Sequence, residues 1–100
     1  MIARIWHGAV PLDKCAAYLE LMRTVAIPDY KATPGNRGAF CLYRVEGDVG
    51  HFQMLTLWDD IEAIKRFAGE SYTVAKYYDF DEKFLIDLEP HASHYEAHGE

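Results

Sequence analysis

The chain has 100 residues, enough for one domain and too few for two, and half of them are hydrophobic, which sets disorder aside and allows one modest core. The net charge is −6, and the 10 Lys and Arg are scattered, Lys65-Arg66 being the densest spot, so no basic stripe invites nucleic acid. There is no apolar run of about 18 residues to span a membrane, the start Met1-Ile2-Ala3-Arg4-Ile5-Trp6-His7 has no signal-peptide profile, and Cys15 and Cys41 sit in apolar segments as free thiols too few for a cysteine zinc site; a cytoplasmic location is expected.

Ile2 to Ala9 alternates, with Ile2, Arg4 and Trp6 on one face and Ala3, Ile5 and His7 on the other, and reads as a strand with neither face freely solvated. Asp13 to about Ile27 has helical spacing, with Cys15, Tyr18 or Leu19, Met22, and Val25 or Ala26 on one stripe. Asp13 is placed to cap it, and Pro28 should stop it. Lys31 to Gly38 reads as a loop around Pro34-Gly35. It lacks the spacing of a phosphate loop and follows a helix instead of a strand. Ala39 to Glu46 and His51 to Trp58 read as strands joined by a hairpin turn at Gly47-Asp48-Val49-Gly50. Near-continuous apolarity from Met54 marks the second as central.

Asp59-Asp60 opens a second helix whose buried stripe is Ile61, Ile64, Phe67 and Ala68, ended by Gly69. Glu62 and Arg66 have the spacing of an ion pair on its solvated face. Ser71 to Tyr78 suggests a further short helical piece. Asp79 to Glu82 reads as an acidic turn, and Lys83 to Leu88 as a last strand interrupted by Pro90. His91 to Glu96 resumes extended chain, and the final residues should fray. The order strand, helix, strand, strand, helix, strand is an α+β, ferredoxin-like βαββαβ pattern: a four-stranded antiparallel sheet with helices on one face. The other face still carries bulky residues such as Ile2 or Trp6, and a second copy packing face to face is the simplest cover, which makes a homodimer the expected partner.

Three runs, Phe52-Gln53-Met54-Leu55-Thr56-Leu57-Trp58-Asp59, Glu62-Ala63-Ile64-Lys65-Arg66-Phe67 and Val74-Ala75-Lys76-Tyr77-Tyr78, resemble the antibiotic biosynthesis monooxygenase family. The opening Ile2 to Trp6 and the closing Phe84 to Tyr95 are similar too. The resemblance implies a dimeric α/β barrel with a pocket between sheet and helices. It also implies a cofactor-independent oxygenase that acts on a small phenolic or enolisable substrate. Three positions that carry Asn, Trp and His in the haem-degrading branch hold His7, Phe67 and Tyr77 here, so haem degradation is not expected.

His7 is the candidate catalytic residue. On the family's pattern its strand face looks into the pocket, and imidazole titrates close to neutral pH, as a base for a phenol should. Its alternative is a histidine hydrogen-bonded at the edge of the core. Trp58, Phe67, Tyr72 and Tyr77 are candidate walls for a flat aromatic or apolar ligand, with core packing the competing reading, favoured for Trp58. His91, His94 and His98 do not promise a metal, because His91 and His94 alternate in a strand. No metal or other cofactor is called for. Fold alone leaves two readings, the oxygenase and a non-catalytic dimeric ligand-binding or stress-related module.

Overall fold

The alternation at the start of the chain becomes strand β1, Ile2–Pro11, in the computed structural model, which describes residues 1–99. Arg4, Trp6, Gly8 and Val10 are buried, and the residues between them only partly so. This is the period of a pleated strand with one face well covered. A single helical excursion follows: a tight turn at Leu12–Lys14, helix α1 at Cys15–Leu21, a π turn at Met22–Ala26 and helix α2 at Ile27–Ala32. Asp13 lies inside the first turn, and no side chain caps α1, so the expected cap is not used. Nor does Pro28 stop the helix, which continues to Ala32. Mid-helix, a proline lacks its N–H and collides with a carbonyl of the preceding turn. Here the wide turn sits just before it, the Ile27 N–H reaching back to the Met22 carbonyl, and Pro28 falls in the first turn of α2, where no N–H is needed.

The expected loop after this helix is correspondingly shorter, and strand β2 begins at Asn36 and runs to Glu46 with an irregularity near Gly38. Gly47-Asp48 turns the chain into β3, Val49–Trp58. Helix α3, Ile61–Ala68, starts where the Asp60 carboxylate accepts the Ala63 N–H at 2.9 Å and stops at Gly69, φ +89°. Glu62 on this helix pairs with Lys65 and not with Arg66, whose guanidinium donates to the Pro34 carbonyl.

Two expectations fail beyond α3. Ser71 to Tyr78 is not helical: Val74 forms an isolated bridge with His91. Lys83 to Leu88 is not the last strand either. Strand β4 is Ser93–Glu96, after Pro90, and the acidic turn is a short 3-10 segment, Asp79–Lys83. Residues 69–92 form a strap whose polarity is met by fixed points on the rest of the fold, so it needs no ladder of its own. Arg4, almost fully buried in the sheet, donates to the carbonyls of Tyr72 and Val74. Lys76 and the Tyr78 hydroxyl both reach Asp29. Asp81, 1% exposed, accepts from the Tyr18 hydroxyl and the Tyr78 N–H, each at 2.7 Å. The Ala97 N–H donates to the Met1 carbonyl, tying down the chain just past β4, while the expected fraying of Glu100 lies outside the described residues.

The strands are antiparallel in the order β2-β3-β1-β4, and the helices cover one face, the ferredoxin-like α+β arrangement. The covered face holds the core: Trp6, Phe52, Met54 and Trp58 from the sheet meet Tyr18, Met22 and Tyr30 from the first helical run and Ile64 and Phe67 from α3. The other face has no cover in the monomer, but its bulky residues are not Ile2 and Trp6. Trp6 is buried toward the helices, and Ile2 shares its face. Strand pairing puts Ala3, Ile5, Leu55, Leu57, Phe40 and Tyr95 on one half of the open face. His7, Gln53, Leu42, His51 and Arg44 occupy the other half. Among the described residues no helix is long and apolar enough to cross a membrane.

Two measurements probe this framework. Gly35 has φ +93°, and a Cβ there would run into the Ala63 side chain, whereas Gly47, φ +63°, faces open space. Gly35→Ala should cost about 3 kcal/mol and Gly47→Ala about 1 kcal/mol, read from urea midpoints; equal losses would contradict this packing. Burial pushes the Asp81 carboxyl above its ordinary 3.8, with the Tyr78 N–H and Tyr18 hydroxyl pulling the other way. The folded protein therefore holds this proton more tightly than the unfolded chain, and stability falls as pH rises from 3.8 through the raised native value, then levels off. Melting temperatures of Asp81→Asn should gain on the wild type across that window. A difference that stays constant from about pH 3 to about pH 7 would show that Asp81 is not the group responsible.

Candidate functional site

The space between sheet and helices, where a pocket was expected, is nearly full. Trp6, Tyr18, Met22, Tyr30, Met54 and Asp81 are among the residues around a residual cavity of about 10 Å³, scarcely room for one water. None of the candidate wall residues lines this cavity. Trp58 is fully buried, and its indole N–H donates to the Thr56 hydroxyl at 2.8 Å. Phe67 stacks on Tyr30 with ring centres 4.4 Å apart, and the Lys76 ammonium sits 4.1 Å above its ring. Trp58 and Phe67 are thus neighbours in the core, their ring centres 5.9 Å apart. Burial pushes the Tyr30 hydroxyl up to about 12, so it stays protonated in this setting. Tyr72 stands edge-on to His94, and its carbonyl takes a hydrogen bond from Arg4. Burial lowers the affinity of His94 for a proton, and the Arg4 charge lowers it further.

His7 does not face this space. Strand alternation sends Trp6 toward the helices and His7 to the open face, so the family-based placement of His7 between sheet and helices is corrected. On the open face His7 lines a depression of about 370 Å³ with Leu42, Tyr43, Arg44, His51 and Gln53. Its ring is engaged at both nitrogens. Nδ1 lies 2.5 Å from a carboxylate oxygen of Glu89, and Nε2 lies 3.1 Å from Nδ1 of His51. The two imidazoles are near-parallel, 5.4 Å between centres. Tyr77 is drawn into the same neighbourhood: its ring packs edge-on against Trp6, and its hydroxyl donates to the Glu89 carbonyl. Burial raises the Tyr77 hydroxyl above its ordinary value, and the Glu89 charge adds to this, so Tyr77 acts as a donor. Of the five candidates, His7 and Tyr77 therefore meet through Glu89, Trp58 and Phe67 meet in the core, and Tyr72 stands apart beside β4.

The geometry has a local cause. Strand β4 pairs with β1 only from Ile2 to Ile5. Beyond it the edge of β1 is flanked by the chain before Pro90, where the Ile86 N–H donates to the Ala9 carbonyl at 2.9 Å. Pro90 has no N–H to extend that pairing, and the approach leaves the Glu89 carboxylate beside His7. His51 arrives from β3: it pairs with Ala9, one step diagonal from His7 on the same face. His51 and Glu89 were not singled out in the sequence. His51 is the first residue of its expected strand, and only the β1–β3 register brings it to His7. Glu89 precedes a proline in a segment whose pairing the sequence misplaces.

An ionised carboxylate only accepts hydrogen bonds, so Nδ1 of His7 donates to Glu89. The carboxylate fixes the orientation of the ring and favours a positive charge on it. His91, His94 and His98 are not gathered, and no three His, Cys, Asp or Glu among the described residues form a group suited to holding a metal ion.

No protein-family model and no curated protein matches the chain. Solved structures do. Rv0793 from Mycobacterium tuberculosis aligns over 99% of this chain and 96% of its own, with a TM-score of 0.66 and 14% identity. A MhuD variant with two manganese protoporphyrin IX molecules bound per active site aligns over 95% of this chain and 90% of its own, with a TM-score of 0.52 and 17% identity. At such identities the likeness is one of architecture, and the chain has the ferredoxin-like α+β fold of both structures.

Proposed function

We propose that this protein is a small cofactor-independent oxygenase acting on a phenolic or otherwise enolisable substrate in the depression beside His7. The carrying observation is the Glu89–His7–His51 chain on the floor of that depression. Removal of a proton leaves an electron-rich anion, and the positive charge gained by the protein ends on His7 beside the Glu89 carboxylate. For a carbon bearing two hydrogens next to a phenol ring, the anion bonds to O₂ and gives a peroxide. Protonation of the peroxide and loss of the second hydrogen with O–O cleavage give a carbonyl and one water. The substrate supplies all the electrons, so the scheme calls on no outside reductant. The resemblance of Phe52 to Asp59 to an oxygenase family supports the same reading.

A second copy of the chain is proposed to cover the open face. Phe40 and Tyr95 are more than half exposed there, beside Ile5, Leu55 and Leu57, an apolar half-face of the kind soluble monomers seldom leave uncovered. Seated on that half, the second copy would roof the depression and shield the anion from water. The closed sheet–helix space favours one other reading, a dimeric binding module without catalysis.

Oxygen uptake with a panel of quinols and anthrone-type phenols separates the two readings. The wild type should consume O₂, and His7→Ala and His7→Phe should each lose about 10²- to 10⁴-fold. No uptake above buffer in any of the three proteins would leave the binding module standing alone. Light scattering should give twice the 11.5 kDa chain mass, reverting to one chain mass in Phe40→Glu. A wild-type monomer at micromolar concentration would refute the covering copy.

A further inference from the structure

We infer that the atom which meets the substrate is Nε2 of His51, and that His7 acts through it as a positioning and relay residue. The inference rests on the proposed proton removal but is carried by the hydrogen bonds alone. Both ring nitrogens of His7 are already occupied, one by Glu89 and one by His51. A substrate proton cannot reach His7 without breaking one of these contacts. With the Nδ1 hydrogen of His7 committed to the carboxylate, Nε2 of a neutral His7 holds a lone pair. The hydrogen between the two rings then belongs to His51, on its Nδ1. This leaves Nε2 of His51 bare, and His51 has no second hydrogen bond among the described residues while lining the depression.

The proton path follows directly. The substrate O–H or C–H bond breaks toward Nε2 of His51, the Nδ1 hydrogen of His51 passes to Nε2 of His7, and His7 becomes an imidazolium held against Glu89. One proton enters and none leaves, so the charge on the substrate anion is balanced by the charge gained at His7. Burial is consistent with these roles: the His7 side chain is 32% exposed and is held on its Nδ1 side by Glu89. Gln53, directly across from His7 in the β1–β3 ladder, supplies a neutral amide at the same floor and no competing charge.

Long-range ¹⁵N–¹H NMR of the imidazoles tests this without any substrate. Both His7 and His51 should carry their hydrogen on Nδ1, and in His7→Phe the His51 hydrogen should move at least partly to Nε2. A wild-type His51 protonated on Nε2, or a His51 signal indifferent to His7→Phe, overturns the assignment. With a substrate from the oxygen-uptake panel, His51→Phe keeps a flat ring beside His7 but no nitrogen, and should lose at least about 100-fold in kcat. Undiminished turnover in His51→Phe also overturns it. If the wild type consumes no oxygen while both histidines show the Nδ1 hydrogen, the oxygenase reading fails and the relay geometry stands.

Discussion

The arrangement depends on how the outer edge of β1 is used. Its first half pairs with β4, and its second half meets the segment before Pro90 through the Ile86–Ala9 hydrogen bond. A full β4 ladder along that edge would occupy the place from which Glu89 reaches His7. The chain ahead of β4 is instead held by the strap, its Pro90 carbonyl accepting the Ala75 N–H and its Ala92 N–H donating to the Thr73 carbonyl. The break between the β4 ladder and the Ile86–Ala9 bond is where the Glu89 carboxylate reaches the one histidine of β1.

The closure of the helix face is the other side of the same constraint. The strap from Gly69 to Ala92 has little regular structure, so its polar groups need partners elsewhere. Arg4, Asp29 and Asp81 supply them. These anchors bring Lys76, Tyr78 and Asp81 down onto the sheet–helix space and leave it with about one water's volume. The Lys76 ammonium over Phe67 and the Tyr30–Phe67 stack complete the seal. Titratable chemistry and open volume consequently lie together on the opposite face, where the sheet divides into an apolar half and a half carrying His7, His51, Gln53 and Arg44.

Local rules read well wherever an element's outcome depends on its own residues. The alternation of β1 and the start of α3 after Asp59-Asp60 appear where spacing and side-chain chemistry placed them, and the hairpin falls at its expected site with a turn two residues shorter, since Val49 and Gly50 already belong to β3. They fail where a distant partner decides. Pro28 is carried through because the π turn at Met22–Ala26 relieves its clash. Ser71 to Tyr78 has helical-looking spacing, but the bonds to Arg4 and the bridge to His91 hold it as a turn followed by irregular chain. Trp58 and Phe67 have the composition of pocket walls, yet their neighbours Thr56, Tyr30 and Lys76 make them core.

The residues alone determined the class: period-two and period-3.6 patterns in the order βαββαβ impose a sheet with helices on one side, since each pattern has only one way to bury its apolar face. The resemblance of the chain, and not the pattern, singled out His7 among the histidines. Only the folded chain decided which way His7 points and what it touches. A shift of one residue in an alternating strand exchanges its two faces, and the partners Glu89 and His51 lie 82 and 44 residues away, joined to His7 by register and not by spacing.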